Sequence, residues 1–288
     1  MMKKYIPHIS ILTAGILWGM IGLFNRHLLA AGFTPRTIVM VRNFGGMILM
    51  TLLFLLMDRR IFRIKLRHLP IFLGTGVVSV VLFTLCYFSC QAQSSLAISA
   101  ILLYTAPAFV MLMSAIFFRE KITGSKLLAL AAAFLGCVSV SGILGGSLSV
   151  TASGLLAGIG SAFFYALYSI FARLGLRHYQ PLTVTYYTFV CAGIASLFVD
   201  SPAAAVTLLT SAPAIPLLAL GLVAVSTVAP FVLYTKGLAQ LESGKASILA
   251  SVEPVAAAVA GILAFGEPLT VGVALGLGCI LVSVYILR

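Results

Sequence analysis

The sequence predicts an all-α membrane protein with ten transmembrane helices in two inverted five-helix repeats. Three observations predict this fold: the composition, the spacing of the apolar segments and a repeat within the chain. Of the 288 residues, 61% are hydrophobic and only 8% are charged, whereas soluble globular domains carry about 25% charged residues. Because a surface that faces water needs more charges, the composition excludes a soluble enzyme, a nucleic-acid-binding domain and a disordered chain.

Apolar segments long enough to cross a bilayer recur along the whole chain. A transmembrane helix needs about 20 predominantly apolar residues, and ten such segments leave no room for a soluble domain. The predicted helices cover residues 9–29, 36–57, 69–90, 96–118, 126–144, 152–174, 182–199, 213–235, 243–265 and 269–287.

The positive charges indicate which way these helices face, because Lys and Arg are enriched in cytoplasmic loops. With the N-terminus in the cytoplasm, 15 of the 18 cations fall on the cytoplasmic side. The sequence therefore predicts a multi-pass protein of the cytoplasmic (inner) membrane, with both termini in the cytoplasm and the loop near Ser147 outside. We interpret the basic cluster at 59–67 as a topology signal in contact with anionic lipid, and expect no nucleic-acid partner. The 15 cations are Lys3, Lys4, Arg59, Arg60, Arg63, Lys65, Arg67, Arg119, Lys121, Lys126, Arg173, Arg177, Lys236, Lys245 and Arg288.

The two halves of the sequence are related by a repeat, and we place them at residues 1–147 and 148–288. Each half holds five predicted helices, and because five is odd, the second half enters the membrane from the opposite side. Inverted repeats of this kind are typical of secondary transporters, with the substrate site between the repeats. At an offset of 147 residues, identical residue types coincide at Tyr87 and Tyr234, Gln93 and Gln240, Pro107 and Pro254, Glu120 and Glu267, and Thr123 and Thr270.

The repeated motifs resemble those of a known family. The first half contains Tyr104-Thr-Ala-Pro107 and then Phe117-Phe-Arg-Glu-Lys-Ile-Thr123. The second half contains Ser251-Val-Glu-Pro254 and then Phe265-Gly-Glu-Pro-Leu-Thr270. Over essentially the whole chain, this pattern resembles the EamA family of the drug/metabolite transporter superfamily. The resemblance implies ten helices in two inverted halves around a central cavity, in a family that handles amino acids, other metabolites and cationic compounds.

Glu253 is the most prominent polar residue within the predicted helices. It lies near the centre of the ninth helix, among alanines and a glycine, where an ionised side chain costs about 2.5–3.5 kcal/mol on insertion scales. Small neighbours suit a helix interface or a water-lined cavity, and an apolar environment disfavours the charged form of a carboxyl group. We therefore predict that Glu253 binds a coupling proton or a cationic substrate, with a structural hydrogen-bonded carboxyl as an equal alternative.

Aromatic side chains form the other candidate surface. At an offset of 143 residues, Trp18, Gly22 and Asn25 align with Ser161, Tyr165 and Tyr168. Together with further tyrosines, these two sets of residues could line a pocket for an aromatic or cationic group. For any single tyrosine, the alternative to a role in binding is ordinary packing within the membrane. The predicted substrate-binding residues are Trp18, Asn25, Tyr87, Tyr165, Tyr168, Tyr234, Ser251 and Glu253.

Three prolines lie inside predicted helices, and each removes a backbone hydrogen-bond donor. Pro107, Pro230 and Pro254 are therefore predicted to kink their helices. The carbonyl groups that they free could bind a substrate or serve the kink alone.

Arg42 and the glycine pairs have more than one interpretation. Arg42 lies about two turns into the second predicted helix, where it could hold a substrate carboxylate or pair with Glu253. A structural bond, or extension of its long side chain to the outer interface, is the favoured interpretation. Gly272 and Gly276 indicate a close helix contact, either inside one chain or in a dimer, so we expect a monomer or a weak homodimer.

These features predict a transporter rather than an enzyme. The sequence contains no Gly-rich loop with Lys and Ser or Thr for binding nucleotide phosphates, and Glu253 is the only acidic residue deep in a predicted helix. No metal site and no cofactor are expected. We predict a secondary active transporter that works by alternating access, and the resemblance implies amino acids or related small organic metabolites as its substrates. The alternative is choline or another quaternary ammonium compound, which the aromatic residues and one carboxylate suggest.

Overall fold

The computed structural model describes residues 5–57, 59–141 and 151–287, and this part of the chain contains helices and loops but no strand. Lys3, Lys4, Arg288, Ser147 and the boundary between the two predicted halves lie outside the described residues. In chain order the α-helices are α1 (Ile6–Gly19), α2 (Ile21–Ala30), α3 (Pro35–Met57), α4 (Leu69–Leu73), α5 (Leu82–Ala92), α6 (Leu96–Leu103), α7 (Ala106–Phe118), α8 (Gly124–Val140), α9 (Ala152–Gly175), α10 (Pro181–Ser196), α11 (Pro202–Leu209), α12 (Ala214–Val223), α13 (Ala229–Leu238), α14 (Ser243–Ala250), α15 (Glu253–Phe265) and α16 (Val271–Ile286).

The helical segments have the length and apolar character that a membrane requires. Among the described residues, seven segments of 22 to 27 residues are long and apolar enough to cross a bilayer, and two apolar helices are shorter. The predicted class, an all-helical multi-pass membrane protein, is therefore confirmed. The seventh predicted helix falls on α10, which has 16 residues. The seven segments are Ile6–Ala30, Pro35–Leu56, Leu66–Ala92, Ala97–Phe118, Ala152–Gly175, Ala214–Leu238 and Ser243–Phe265, and the shorter helices are Gly124–Val140 and Val271–Ile286.

Two of these segments are interrupted near their centres. The chain leaves the helix at 104–105, between α6 and α7, and again at 251–252, between α14 and α15. Pro107 and Pro254 each occupy the second position of the helix that follows, where a backbone N–H would have no partner within the helix anyway. Pro230 holds the same position in α13, directly after a π-helical segment.

The helix breaks and the helix ends of the first half recur in the second half with the same geometry. The two breaks are 147 residues apart, and so are the ends of α7 and α15. Arg119 and Gly266 cap these ends in the left-handed conformation, with φ angles of 57° and 65°, which costs glycine nothing but strains a residue with a Cβ atom. Thr123 and Thr270 then begin α8 and α16, and each side chain accepts a hydrogen bond from the backbone three residues ahead.

Helices of the first half pack mainly against helices of the second half. α8 lies against α16, α3 against α10, α5 against α9, and α1 against α13. The contact of α8 with α16 uses the glycine pair that the sequence singled out. A Cβ atom at Gly272 would lie 2.5 Å from the Ser139 carbonyl oxygen, and one at Gly276 would lie 2.8 Å from that of Gly136. Both glycines thus permit a close backbone contact inside one chain.

Two details differ from the predicted helices. The first predicted helix is divided at Met20 into α1 and α2. In addition, α11 forms in a segment where no helix was predicted, with the Ser201 hydroxyl accepting a hydrogen bond from the Ala204 N–H at 3.4 Å.

Candidate functional site

A cavity lined by aromatic residues lies where the two halves meet. Its empty volume, which includes space open to the outside, is about 520 Å³. Its walls come from α1, α3, α5 and the π-helical segment Gly74–Val81 of the first half, and from α9 and α13 of the second. Four of the eight predicted substrate-binding residues, Trp18, Tyr165, Tyr168 and Tyr234, line this aromatic cavity. The other lining residues are Val39, Arg42, Asn43, Ser79, Val80, Phe83, Thr84, Ser169 and Phe231.

The aromatic rings hold one another in edge-to-face and tilted contacts. The rings of Trp18 and Phe231 have centroids 5.3 Å apart at 81°, and those of Tyr168 and Phe231 are 5.0 Å apart at 88°. The ring of Tyr234 lies 5.4 Å from that of Trp18. Edge-to-face pairs contribute about 0.5–1.5 kcal/mol beyond the area they bury, so these contacts stabilise the arrangement of the cavity wall.

Hydrogen bonds between α9 and α13 fix two of the tyrosines. The Tyr168 hydroxyl lies 2.7 Å from the Thr235 hydroxyl, and the Tyr234 hydroxyl lies 2.7 Å from the Ser169 hydroxyl. All four side chains are buried, where a hydroxyl without a partner would be costly. The polar ends of these tyrosines are thus used within the protein, and their rings form the cavity wall.

Arg42 and Asn43 form the polar side of the aromatic cavity. Arg42 is half-buried, and its Nε donates to the Thr227 hydroxyl at 3.2 Å. Asn43 is only 3% exposed, and among the described residues its Nδ2 has no hydrogen-bond partner. Arg42 thus makes a structural hydrogen bond, one of the two favoured interpretations of the sequence, and its side chain lines the cavity.

Glu253 lines a second, smaller cavity of about 290 Å³. This cavity lies where the two helix breaks meet, since Tyr104 and Pro107 line it together with Ser251 and Glu253. Tyr165 lines both cavities, so they are neighbours. Among the described residues no ion pair within 4 Å joins Arg42 and Glu253.

The structure does not bring all the predicted site residues together. Asn25 and Tyr87 line neither cavity; the Tyr87 ring packs 6.0 Å from that of Phe83. Asn43 and Phe231 also line the aromatic cavity but were not predicted, because they belong to none of the repeated motifs. An isolated polar or aromatic residue in an apolar segment was the only signal for them.

A multi-pass helical protein of two related halves, with a cavity between them, has the architecture of a membrane transporter. The chain belongs to the EamA-like transporter family, whose profile matches it twice, over residues 6–142 and 152–288. The family that the repeated motifs resemble is thereby confirmed, as is the two-repeat architecture, and the protein is a membrane transporter.

Similar proteins span nearly the whole chain. An uncharacterized transporter of Archaeoglobus fulgidus is 28% identical over 277 residues, which are 96% of this chain and 94% of the relative. The uncharacterized inner membrane transporter YicL of Salmonella typhimurium is 27% identical over 286 residues, 97% and 94% of the two chains. A crystal structure that is 16% identical superposes with a TM-score of 0.79 over 97% of this chain and 95% of the other, and shows the same fold.

Proposed function

We propose that the protein is a secondary active transporter of small organic metabolites, with amino acids or related compounds as the leading substrates. In this proposal ten transmembrane helices form two inverted halves that expose a central site alternately to the two sides of the membrane. The observation that carries the proposal is the aromatic cavity at the junction of the halves, where carriers of this kind bind their substrates. The name of the Salmonella typhimurium relative supports the inner membrane as its location.

An unequal pair of contacts supports alternating access. At one end of the molecule, the Glu120 carboxylate accepts hydrogen bonds from the backbone N–H groups of Ser243 at 2.8 Å and Gly244 at 3.3 Å. These bonds tie the end of α7 to the start of α14. Nearby, Lys126 and Glu242 form an ion pair at 2.5 Å. Under the proposed mechanism, these contacts between the two halves keep this end of the molecule closed.

The equivalent contact is different at the other end. Glu267 is the repeat counterpart of Glu120, and the start of α6 corresponds to the start of α14. In the described structure, however, the Glu267 carboxylate pairs with Arg26 at 3.3 Å, and the start of α6 is capped by Ser95. This asymmetry is what a carrier closed at one end requires. In the opposite state, Glu267 would bind the start of α6 and Glu120 would release α14.

Exchange measurements test the carrier class. In proteoliposomes, a carrier shows saturable counterflow: an excess of unlabelled substrate on one side drives labelled substrate toward that side. We expect counterflow for at least one amino acid or quaternary amine. Flux that never saturates and shows no counterflow would indicate a channel and contradict the proposal.

The unequal contacts suggest a matched pair of variants. Glu120→Ala removes charge-assisted hydrogen bonds worth about 1.5–3 kcal/mol each, which is enough to shift a two-state equilibrium about tenfold or more. A cysteine at Ser247, a buried residue of the second cavity, reports the opening once the five native cysteines have been replaced. We expect a hydrophilic thiol reagent to label Ser247→Cys faster from the α14 side in Glu120→Ala, but not in Glu267→Ala. Equal labelling in both variants would contradict the assignment of Glu120 to closure.

A further inference from the structure

We infer that Arg42 and Asn43 together anchor a carboxylate group of the substrate, so that the aromatic cavity selects small carboxylates, including amino acids, over quaternary ammonium cations. The inference rests on the proposed transport function and specifies which chemical group of the substrate the protein binds. It is carried by the hydrogen-bond donors that the aromatic cavity leaves unused.

The guanidinium group of Arg42 has donors to spare. Arginine carries five N–H donors in a planar fork, and the structure uses Nε for the bond to Thr227. Within the described chain the remaining four N–H groups have neither a hydrogen-bond acceptor nor an ion-pair partner. A carboxylate matches this fork with two parallel hydrogen bonds, which is the geometry that distinguishes arginine from lysine.

Asn43 supplies a second, adjacent donor. Its side chain is almost fully buried and lines the same cavity as Arg42, yet its Nδ2 has no partner among the described residues. Buried amide groups in proteins are nearly always hydrogen-bonded, so the Asn43 Nδ2, which is buried beside the cavity without a partner, is expected to bond an acceptor on a ligand when a small side-chain movement exposes it. An amide next to a guanidinium group favours an anionic oxygen as that acceptor.

Three hydroxyl groups of the aromatic cavity are already engaged. The hydroxyls of Ser79 and Thr84 donate to backbone carbonyls of their own helical segments, at 2.8 and 2.7 Å, and the Ser169 hydroxyl is paired with Tyr234. Arg42 therefore carries the only charged group in the lining, and the Asn43 amide beside it and the Tyr165 hydroxyl are further polar groups without a hydrogen bond to the described residues.

The charge of the lining argues against a cation. Among the residues around the aromatic cavity, Arg42 carries a positive charge and none carries a carboxylate, while Glu253 lines the neighbouring cavity. Aromatic faces attract a cation, but a quaternary amine against these rings would share the cavity with the guanidinium group. A compound with a carboxylate for Arg42 and an apolar body for the rings of Trp18 and Phe231 fits both features.

A ligand series on the unaltered protein tests the inference without any mutation. The probes are L-phenylalanine and L-leucine, each with its amide and its decarboxylated amine, together with choline. A ligand that binds the folded state raises its melting temperature. We expect the two amino acids to stabilise the purified protein, whereas the amides, the amines and choline do not. Stabilisation by the amines or by choline, or failure of both amino acids to bind, would overturn the inference.

Variants then assign the binding to the two residues. Arg42→Gln should weaken binding of the amino acids about ten- to a hundredfold, as expected for the loss of charge-assisted hydrogen bonds, and Asn43→Leu should weaken it to a smaller extent. Arg36→Gln removes an exposed cation from the same helix and should leave binding unchanged. Wild-type affinity in Arg42→Gln would refute the anchor.

Exchange in proteoliposomes separates this inference from the transport function. If choline exchanges while the amino acids neither bind nor exchange, the protein is a transporter and the carboxylate anchor is wrong. If the amino acids bind with the predicted dependence on Arg42 but no compound exchanges, the anchor is correct and the proposed transport is wrong.

Discussion

Gly19 lies at the point where α1 touches the break beside Glu253, and we predict that Gly19→Ala destabilises the protein. A Cβ atom at Gly19 would lie 2.6 Å from the Glu253 carbonyl oxygen, 2.7 Å from the Ala256 Cβ and 2.8 Å from the Ala257 nitrogen. Carbon atoms in optimal contact are about 3.5–4.0 Å apart, so α1 and α15 must separate by about 1 Å. Two of these three atoms belong to the backbone and cannot move aside by a side-chain rotation.

The steric cost of Gly19→Ala can be measured against a control variant, Gly22→Ala. Overpacking in a tight contact costs about 1–3 kcal/mol, whereas alanine favours a helix over glycine by up to about 1 kcal/mol. Gly22, three residues further along, has no atom within 4 Å of the equivalent Cβ position. Gly19 ends α1 and Gly22 lies in the first turn of α2, so the gain in helix preference is at most about 1 kcal/mol in either variant, and the difference between them mainly reports the steric cost of about 1–3 kcal/mol.

Thermal unfolding of the two purified variants measures this difference. One kcal/mol corresponds to about 2–4 °C in chains of 150–250 residues, so Gly19→Ala should melt at least about 2 °C below Gly22→Ala. Since the displaced atoms include the backbone of Glu253, Gly19→Ala should also transport more slowly. Equal melting temperatures would show that α1 and α15 separate at no cost in free energy. The contact at Gly19 would then not limit the stability of the protein.

Three further predictions concern single positions. If Glu253 binds the coupling proton, Glu253→Gln should lose accumulation driven by a pH gradient but keep exchange in proteoliposomes; unchanged transport with a lower melting temperature would show a structural group instead. For the topology, Ser147→Cys should react with a membrane-impermeant reagent outside intact cells and Ser125→Cys should not, and the reverse pattern would overturn the orientation. The hydroxyl of Thr37 and the Ser201 N–H hold the pKa of Asp200 below its ordinary value, so the ionised carboxylate stabilises the folded state above that value and the effect is lost as the pH falls through the lowered pKa. Asp200→Asn should therefore melt below the wild type at pH 7, and the difference should shrink at about pH 3; a difference independent of pH would exclude the charge as its cause.

The sequence predicted the helices well because their signal is local. Runs of apolar residues and the offset of 147 are visible without any knowledge of packing, and the structure places helices over each predicted segment. The short helix α11 also had a local signal, because a serine followed by proline is a common helix start, but its residues were assigned to a loop.

The helix breaks and the cavity wall depend on tertiary contacts. A proline removes one donor, but whether the helix bends or stops depends on what the adjacent segments contact. The sequence therefore identified Pro107 and Pro254 as disturbances without predicting that the chain leaves the helix at 104–105 and 251–252. Asn43 and Phe231 face the aromatic cavity because of the way α3 and α13 pack, and no local pattern distinguishes that face from a lipid-facing one.

The duplicated halves are alike in backbone but not in chemistry. Where α15 begins with Glu253, its counterpart α7 begins with Ala106 at the same position of the repeat. Two identical inverted halves would give the two access states equal free energies by symmetry. Under the proposed mechanism, a carboxyl group present in only one half removes that equality, so the resting preference for one side of the membrane is encoded in positions where the copies have diverged, Glu253 among them. Exchanging the two residues, with Ala106→Glu and Glu253→Ala in one chain, would then shift the preference of the empty carrier toward the opposite side.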